Sequence, residues 1–383
     1  EGEGEGESSS SKHHKKPVAD SCQWVKFTLG QQFGLRTVPA TISSAVPTLE
    51  SLDQTLELMQ RTGASSVVSV GSGSAMDLAK AVAASISATT TSSSTTQRVP
   101  LVMVPATYSA LVAAGASHSL LLDGAEETLV PFPHNHQSLL LDLDSDSDLN
   151  LNLNVDADKD EDAVAQSSVV ATLDHGKYMQ GLQDENDRDV LLYAVSAVLL
   201  DAVYRNSAHP SLQGLLSETS ELLALRNNGG SGGSDDENDA DVHSLTSLLY
   251  RSSNLLSYGL DGNNLDDEAN RSIPLALASS LIPTLFPETH PVSFFAGLVP
   301  GLSALCASSG NVGTTAQELL EQLGGPHTTQ MPPPPLRVWV ASLEGFSVPD
   351  MAVSHLRSNQ AAWKALDAPD DVLVRVLQDS LER

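Results

Sequence analysis

The stretch "VVSVGSGSAMDLAKAVAAS", Val67 to Ser85, joins a short β-branched run to four small residues and then to a helical pattern. The apolar run reads as a buried strand and Gly71–Ser74 as a turn. Ala75, Leu78, Ala79, Val82 and Ile86 then recur at three- and four-residue intervals, as the apolar face of a helix does. Small residues at Gly71, Ser72, Gly73 and Ser74 let a backbone approach a ligand, and the following helix offers amide groups and a positive dipole end. That combination suits a phosphate or pyrophosphate. Neither the full GxGxxG fingerprint nor a P-loop is present, so spacing leaves two readings open, a phosphate cradle and a plain strand-to-helix turn.

Working outward, "PTLESLDQTLELMQRTG" places Leu49, Leu52, Leu56 and Met59 on one helical face and stops at Gly63. "VPLVMVP" gives a second strand, with "HSLLLD" and "SLLLDLD" as further ones. Strand, helix and strand at this spacing predict a parallel sheet covered by helices, a Rossmann-like arrangement. Beyond residue 188 the pattern turns helical: 190–204, 212–225, 242–256, 273–285, 292–306, 315–323 and 370–381.

With 383 residues and 40% hydrophobic content, the chain is long enough for two domains. Residues 1–20 read as a low-complexity tail, 21–150 as an α/β nucleotide-binding domain and 151–188 as an acidic insertion and linker. Residues 189–383 read as a helical domain carrying a flexible insertion at 227–241. The formal charge of −28 excludes a nucleic-acid or anionic-lipid partner, because a phosphate backbone would be repelled. Much of it is concentrated in Asp142–Asp162 and Asp235–Asp241, so it describes solvated insertions rather than a site. The two cysteines, Cys22 and Cys306, form neither a metal spacing nor a disulfide framework. No apolar run approaches the roughly 18–20 residues that span a bilayer. A cytoplasmic protein acting on a small molecule is the expectation.

Read in full, "VVSVGSGSAMDLAKAVAA" closely resembles the "GGGSxxDxAKA" pattern of the iron-containing alcohol dehydrogenase family, whose members include glycerol dehydrogenases and maleylacetate reductases. Ser72 replaces the middle glycine. "PATY", Pro105–Tyr108, is similar to the "PTTYAGSE" of maleylacetate reductases, with "GSE" replaced by Ala110, Leu111 and Val112. "SIPLALASSLIPTLFPETHPVSFFAGLVPGL" resembles the helical stretch carrying that subfamily's histidines. The resemblance implies an α/β domain followed by an all-helical domain, a dehydroquinate synthase-like architecture, NAD or NADP as cofactor, and a homodimer. It also implies that Gly71–Ser74 and Asp77 lie at the pyrophosphate, and Thr107 and Tyr108 in the cofactor loop. Asp77 and Lys80, three residues apart, admit an ion pair on one helix face as well as cofactor contact.

The resemblance fails at the metal. Metal-using members hold the ion with an Asp, a His one helical turn later, and two further histidines. Here the helix over 190–204 contains no histidine, and Ser196 or a neighbour stands at the ligand place. The second segment offers Ala276–Ala278 and Phe286 or Pro287 in place of ligands, leaving His290 of "PETHP" as the matching imidazole. One imidazole cannot assemble a site that needs about three protein ligands. His175, His209 and His243 would have to converge from unrelated segments. The expectation is therefore no metal, with His290 either a proton donor beside the nicotinamide or a loop histidine packed between Pro287 and Pro291. At the N-terminus, "CQWVKFTLGQQFGLRTVPAT" is expected to supply one remnant strand of the adenosine side.

Overall fold

The computed structural model describes residues 15–40, 47–89, 99–116, 118–123, 126–131, 139–142, 168–172, 187–207, 209–227, 235–257, 272–285, 289, 291–309, 313–324, 336–339, 348–358 and 370–382. Two units emerge: Glu1–Ala110 with His134–Gly181, and Leu111–Pro133 with Leu182–Arg383.

The first unit is built on a parallel sheet. Helix α1 (Lys15–Gln31) is followed by α2 (Leu49–Thr62), strand β1 (Val67–Gly71), helix α3 (Gly73–Thr89) and strand β2 (Leu101–Pro105). The start of α2 is fixed by its cap: Thr48 Oγ1 accepts from Ser51 N at 3.1 Å while Thr48 N reaches back to Ser51 Oγ. Gly63 stops it in the left-handed conformation at φ 66°. β1 pairs with β2 in parallel register from Val67↔Leu101 to Gly71↔Pro105. α3 packs on both strands, and α2 packs on α3.

Three expectations are corrected here. Residues 15–31 form a helix rather than a tail end and a remnant strand, because Val18, Cys22, Val25 and Leu29 recur at helical spacing. Val25 and Leu29 then pack against Val70, Val102 and Val104 of the sheet. The stretch assigned to the acidic insertion contains a central strand, Ser168–Thr172. It pairs with β2 on one side and with Leu139–Asp142 on the other, giving four parallel strands in the order 67–71, 101–105, 168–172, 139–142. Its β-branched "SVVAT" was legible, but its acidic surroundings masked it. α3 also lacks a single apolar stripe: Met76 and Leu78 to Ala83 are all buried, since the helix is covered beyond its sheet-facing side.

The second unit is helical. It begins inside α4 (Tyr108–Gly115) and includes an antiparallel hairpin of β3 (His118–Asp123) and β4 (Glu126–Pro131); the sheet strands at 139–142 and 168–172 are β5 and β6. Residues 111–133 thus belong with the helices. Close packing explains part of this, since a Cβ on Gly115 would collide with Ser253 Oγ and the Tyr250 carbonyl. The central element is α5 (Asp187–Tyr204), buried on every side from Val190 to Ala202. Around it pack α6 (Leu212–Asn227), α7 (Asp235–Ser253), α8 (Ile273–Leu285), α9 (Pro291–Gly297), α10 (Val299–Ser309) and α11 (Thr314–Gln322). The short α12 (Leu336–Trp339), α13 (Val348–Ser358) and α14 (Asp370–Glu382) complete the unit.

Two helix boundaries differ from expectation. α7 starts at Asp235, inside the segment expected to be flexible. The helix expected over 292–306 is two helices bent by 44°, and Pro300 at the second position of α10 has no amide to continue a ladder from α9. Together that bent pair is long and apolar enough for a membrane span, yet Phe294, Phe295, Val299 and Leu302 are buried inside the unit. No single helix among the described residues is long and apolar enough to cross a membrane.

The cysteines differ sharply. Cys22 is exposed, whereas Cys306 is buried and donates to the Leu200 carbonyl at 3.2 Å. Burial, aided by the Asp201 carboxylate, pushes the Cys306 thiol up to about 12 from its ordinary 9.0. The raised value stabilises the fold below pH 9.0, and that contribution is lost as pH rises through about 12. We expect Ellman titration of native protein at pH 8 to detect Cys22 rapidly and Cys306 only after unfolding; two rapid thiols would contradict this burial.

Candidate cofactor-binding site

β1 and β2 are adjacent and parallel, so the turns leaving their carboxyl ends lie side by side. The amide of Ala106, just beyond β2, donates to the Gly71 carbonyl at 2.9 Å and ties the two turns together. This is the edge of an open α/β sheet where ligands generally bind.

Gly71 is buried and has φ 137°, a conformation that residues with a Cβ rarely adopt. It lets the chain reverse directly from strand into helix. Ser72 is exposed, and its carbonyl accepts from Ala75 N at 3.0 Å and Met76 N at 3.3 Å, closing the first turn of α3. An α-helix leaves its leading amides outside its own ladder, and α3 opens at Gly73 with Ser74 beside it, both half-buried. The turn expected over four residues is tighter than that, with helix beginning at Gly73.

The second turn is capped by Thr107, which is half-buried; its Oγ1 accepts from Ala110 N at 3.2 Å, satisfying an amide at the start of α4. Tyr108 is the first residue of α4 and is buried at 4% exposure, so its side chain is packed away from solvent.

Asp77 and Lys80 form an ion pair, Nζ to Oδ1 at 3.4 Å. The lysine side chain is 0% exposed and the carboxylate 16%. Burial pulls the Lys80 ammonium below its ordinary range, while Asp77 opposes that shift. Cofactor contact for Asp77 remains compatible with this pair, because its side chain is not fully buried.

The structure thus brings together Gly71, Ser72, Gly73, Ser74, Asp77, Thr107 and Tyr108. His290 lies outside the described residues, as do His175, Phe286 and Pro287. Thr289 beside it is buried, with a hydroxyl that makes no hydrogen bond among the described residues.

Among the described residues of the helical unit, those at the expected ligand places are not metal ligands. Ser196 is buried and its hydroxyl donates to the Leu192 carbonyl at 2.8 Å, within its own helix. His209 Nδ1 accepts from Ser211 N at 3.2 Å. No cluster of three His, Cys, Asp or Glu side chains is found among the described residues. A clamp that sequence reading missed lies on the same helix. Asp201 Oδ2 pairs with Arg205 Nη2 at 2.8 Å, and its Oδ1 accepts from Ile273 N, the first residue of α8, at 3.0 Å. Arg205 Nη2 also donates to the Leu255 carbonyl at 2.9 Å. The signal was present: an acid and an arginine at i, i+4, closing a mostly apolar run that begins at Val190, cannot both be left unpaired in a core.

Residues 31–119 match the family model described as iron-containing alcohol dehydrogenase, a segment that contains both turns. Among curated proteins, no relative matches the chain. Solved structures with a similar fold include sulfoacetaldehyde reductase from Bifidobacterium kashiwanohense in complex with NAD+, at 12% identity and TM-score 0.52, covering 95% of this chain and 88% of that one. Iron-containing alcohol dehydrogenase from Thermococcus thioreducens is similar at 13% identity and TM-score 0.51, covering 94% and 89%. Maleylacetate reductase from Rhizobium sp. strain MTP-10005 is 16% identical over 89% of this chain and 81% of that one, with TM-score 0.45. At such identities the structural likeness is one of fold, and it agrees with an α/β unit joined to a helical one. The chain is thus similar to iron-containing alcohol dehydrogenases in sequence over residues 31–119 and, beyond that segment, in fold alone.

Proposed function

We propose that this protein is an NAD(P)-dependent oxidoreductase that transfers hydride between a nicotinamide and a small carbonyl, alcohol or ene substrate. One observation carries the reading: the β1–α3 and β2–α4 turns are joined by the Ala106–Gly71 hydrogen bond at the carboxyl edge of a parallel sheet. Gly71, Ser72, Gly73 and Ser74 hold the pyrophosphate through their backbone groups, with Asp77 at the next helical turn. Thr107 and Tyr108 shape the cofactor loop beside the nicotinamide. Bound NAD(P)H supplies the hydride, and the chain's task is to orient the two reactants and exclude water between them. His290 supplies the proton that a reduced carbonyl oxygen requires. No step is routed through a metal. The working unit is a homodimer of dehydroquinate synthase-like subunits.

A second reading is favoured by the helix that should hold the metal. α5 carries no histidine and spends its Ser196 hydroxyl on its own backbone, which fits a catalytically silent paralogue retaining the nucleotide site.

Titrating purified protein with NADH and NADPH, following nicotinamide fluorescence with metal analysis on the same sample, tests the first reading. Binding of either nucleotide is the expected result, and binding of neither overturns it. Nucleotide binding without turnover across small aldehydes and ketones would establish the second reading. If turnover occurs, His290→Ala should reduce it, and an unchanged kcat would remove His290 from the mechanism.

A further inference from the structure

Exposed apolar side chains concentrate at one place in the first unit. Of the seven large hydrophobic residues exposed among the described ones, five lie between Trp24 and Val38: Trp24, Phe27, Phe33, Leu35 and Val38. The sheet takes Val25 and Leu29 of α1, so Trp24 and Phe27, three residues apart, share a side of the helix that the sheet leaves uncovered. The Leu35 amide donates to the Leu29 carbonyl at 2.9 Å, with Gly34 turning at φ 63°, and brings Leu35 back to the end of that helix. Soluble chains seldom leave so many apolar side chains together in water.

Topology says what passes beside α1. Strands β1 and β2 are joined through α3, and β5 and β6 through residues 143–167, which lie outside the described residues; both pairs are parallel. Along the sheet order β1, β2, β6, β5 the first connection steps one way and the second the other. Parallel crossovers are right-handed, so the two connections pass over opposite faces. α3 and α1 both cover β1 and β2, and therefore they too take opposite faces. The 143–167 link thus returns over the face that carries α1. It has 25 residues to retrace strands of four and five, so chain is left to run beside the helix.

Charge and pattern match as well. In a chain of net charge −28, residues 15–40 hold four cations, Lys15, Lys16, Lys26 and Arg36, against Asp20 alone. Asp142–Asp162 holds nine carboxylates and one lysine. Within it Leu149, Leu151, Leu153 and Val155 alternate with Asn and supply apolar side chains at every second place.

We propose that the outer side of α1, with Phe33–Val38, is a docking surface for the chain's own acidic link: carboxylates of Asp142–Asp162 meet the exposed Lys26 and Arg36, and Leu149–Val155 covers Trp24 and Phe27. The contact lies within one chain and does not depend on nucleotide binding.

Carbodiimide, which joins a lysine amine to a carboxylate only where the two meet, tests this on the full wild-type chain. Mass spectrometry of the monomer fraction should find Lys26 linked to a carboxylate of Asp142–Asp162, with the yield falling several-fold at about 0.5 M salt as the charges are screened. Combining Leu149→Ser, Leu151→Ser and Leu153→Ser should lower that yield and speed tryptic cleavage after Arg36 by about ten-fold, because a covered site is cut in proportion to its open fraction. Absence of the link from the monomer fraction, or equal cleavage of wild type and variant, would overturn the proposal. A link confined to dimers would also overturn it and give the surface to a second copy. Should the triple variant fail to fold, the wild-type crosslink decides alone.

Discussion

Replacing Asp201 by alanine is expected to destabilise the helical unit by about 3–5 kcal/mol, a large share of a domain's total stability. Three effects combine. Arg205, whose side chain is 6% exposed, would be left with a buried charge facing a cavity. The Ile273 amide at the start of α8 would lose its acceptor. With its carboxylate partner gone, the guanidinium would also hold the Leu255 carbonyl less firmly, loosening the short helix after α7. Asp201→Asn should cost less, because its carbonyl oxygen can still accept from Ile273, while the paired charge is gone. Urea unfolding followed by circular dichroism measures both, and a loss below about 1 kcal/mol for the alanine variant would show that Arg205 finds another partner or reaches solvent.

The second large effect belongs to the cofactor turn. At φ 137°, Gly71 occupies backbone space in which a β-branched residue is strained by about 1–3 kcal/mol. Gly71→Val must therefore either carry that strain or relax the turn, and relaxation moves the first residues of α3 away from their present place beside Ala106. We expect NADH affinity to fall by roughly ten- to hundred-fold, in line with tenfold for each 1.4 kcal/mol. Far-ultraviolet circular dichroism should be retained, since β1 and α3 are also held by the sheet and by α2. Ser72→Gly is the matching control. It introduces no strain at an exposed position, and binding close to that of the wild type is the expected result. Wild-type affinity in Gly71→Val would show that the turn's conformation does not matter to the ligand.

Periodicity made parts of this molecule plain. The helix ending at Gly63 and the Val67–Thr89 strand and helix are local patterns, so their readings survive contact with the structure. Where neighbours decide, the sequence was less informative. Ser168–Thr172 is a central strand because β2 and β5 flank it, and nothing in five residues amid acidic tracts announces that. Residues 15–31 show helical spacing once the right register is chosen, but the expected family topology drew attention toward a strand.

The candidate site was legible in the same uneven way. Gly71–Ser74, Thr107 and Tyr108 stand out by local motif, and parallel pairing sets the two turns beside one another. The Asp77–Lys80 pair could be anticipated from spacing, though not the complete burial of its lysine, which depends on the layers around α3. Asp201 belongs to no local motif that would set it apart in α5. Its partners are 4 and 72 residues away, a separation that only the folded chain closes.

If the β1–α3 turn holds the dinucleotide pyrophosphate, bound nucleotide covers the amides of that turn. Hydrogen–deuterium exchange with and without saturating NADH tests this, because the amides of Gly71–Ser74 are the groups proposed to bind. Slowed exchange in peptides covering Val67–Val82, together with those covering Ala106–Ala110, is the result predicted. Binding of NADH with unchanged exchange in both turns, and protection elsewhere, would contradict it.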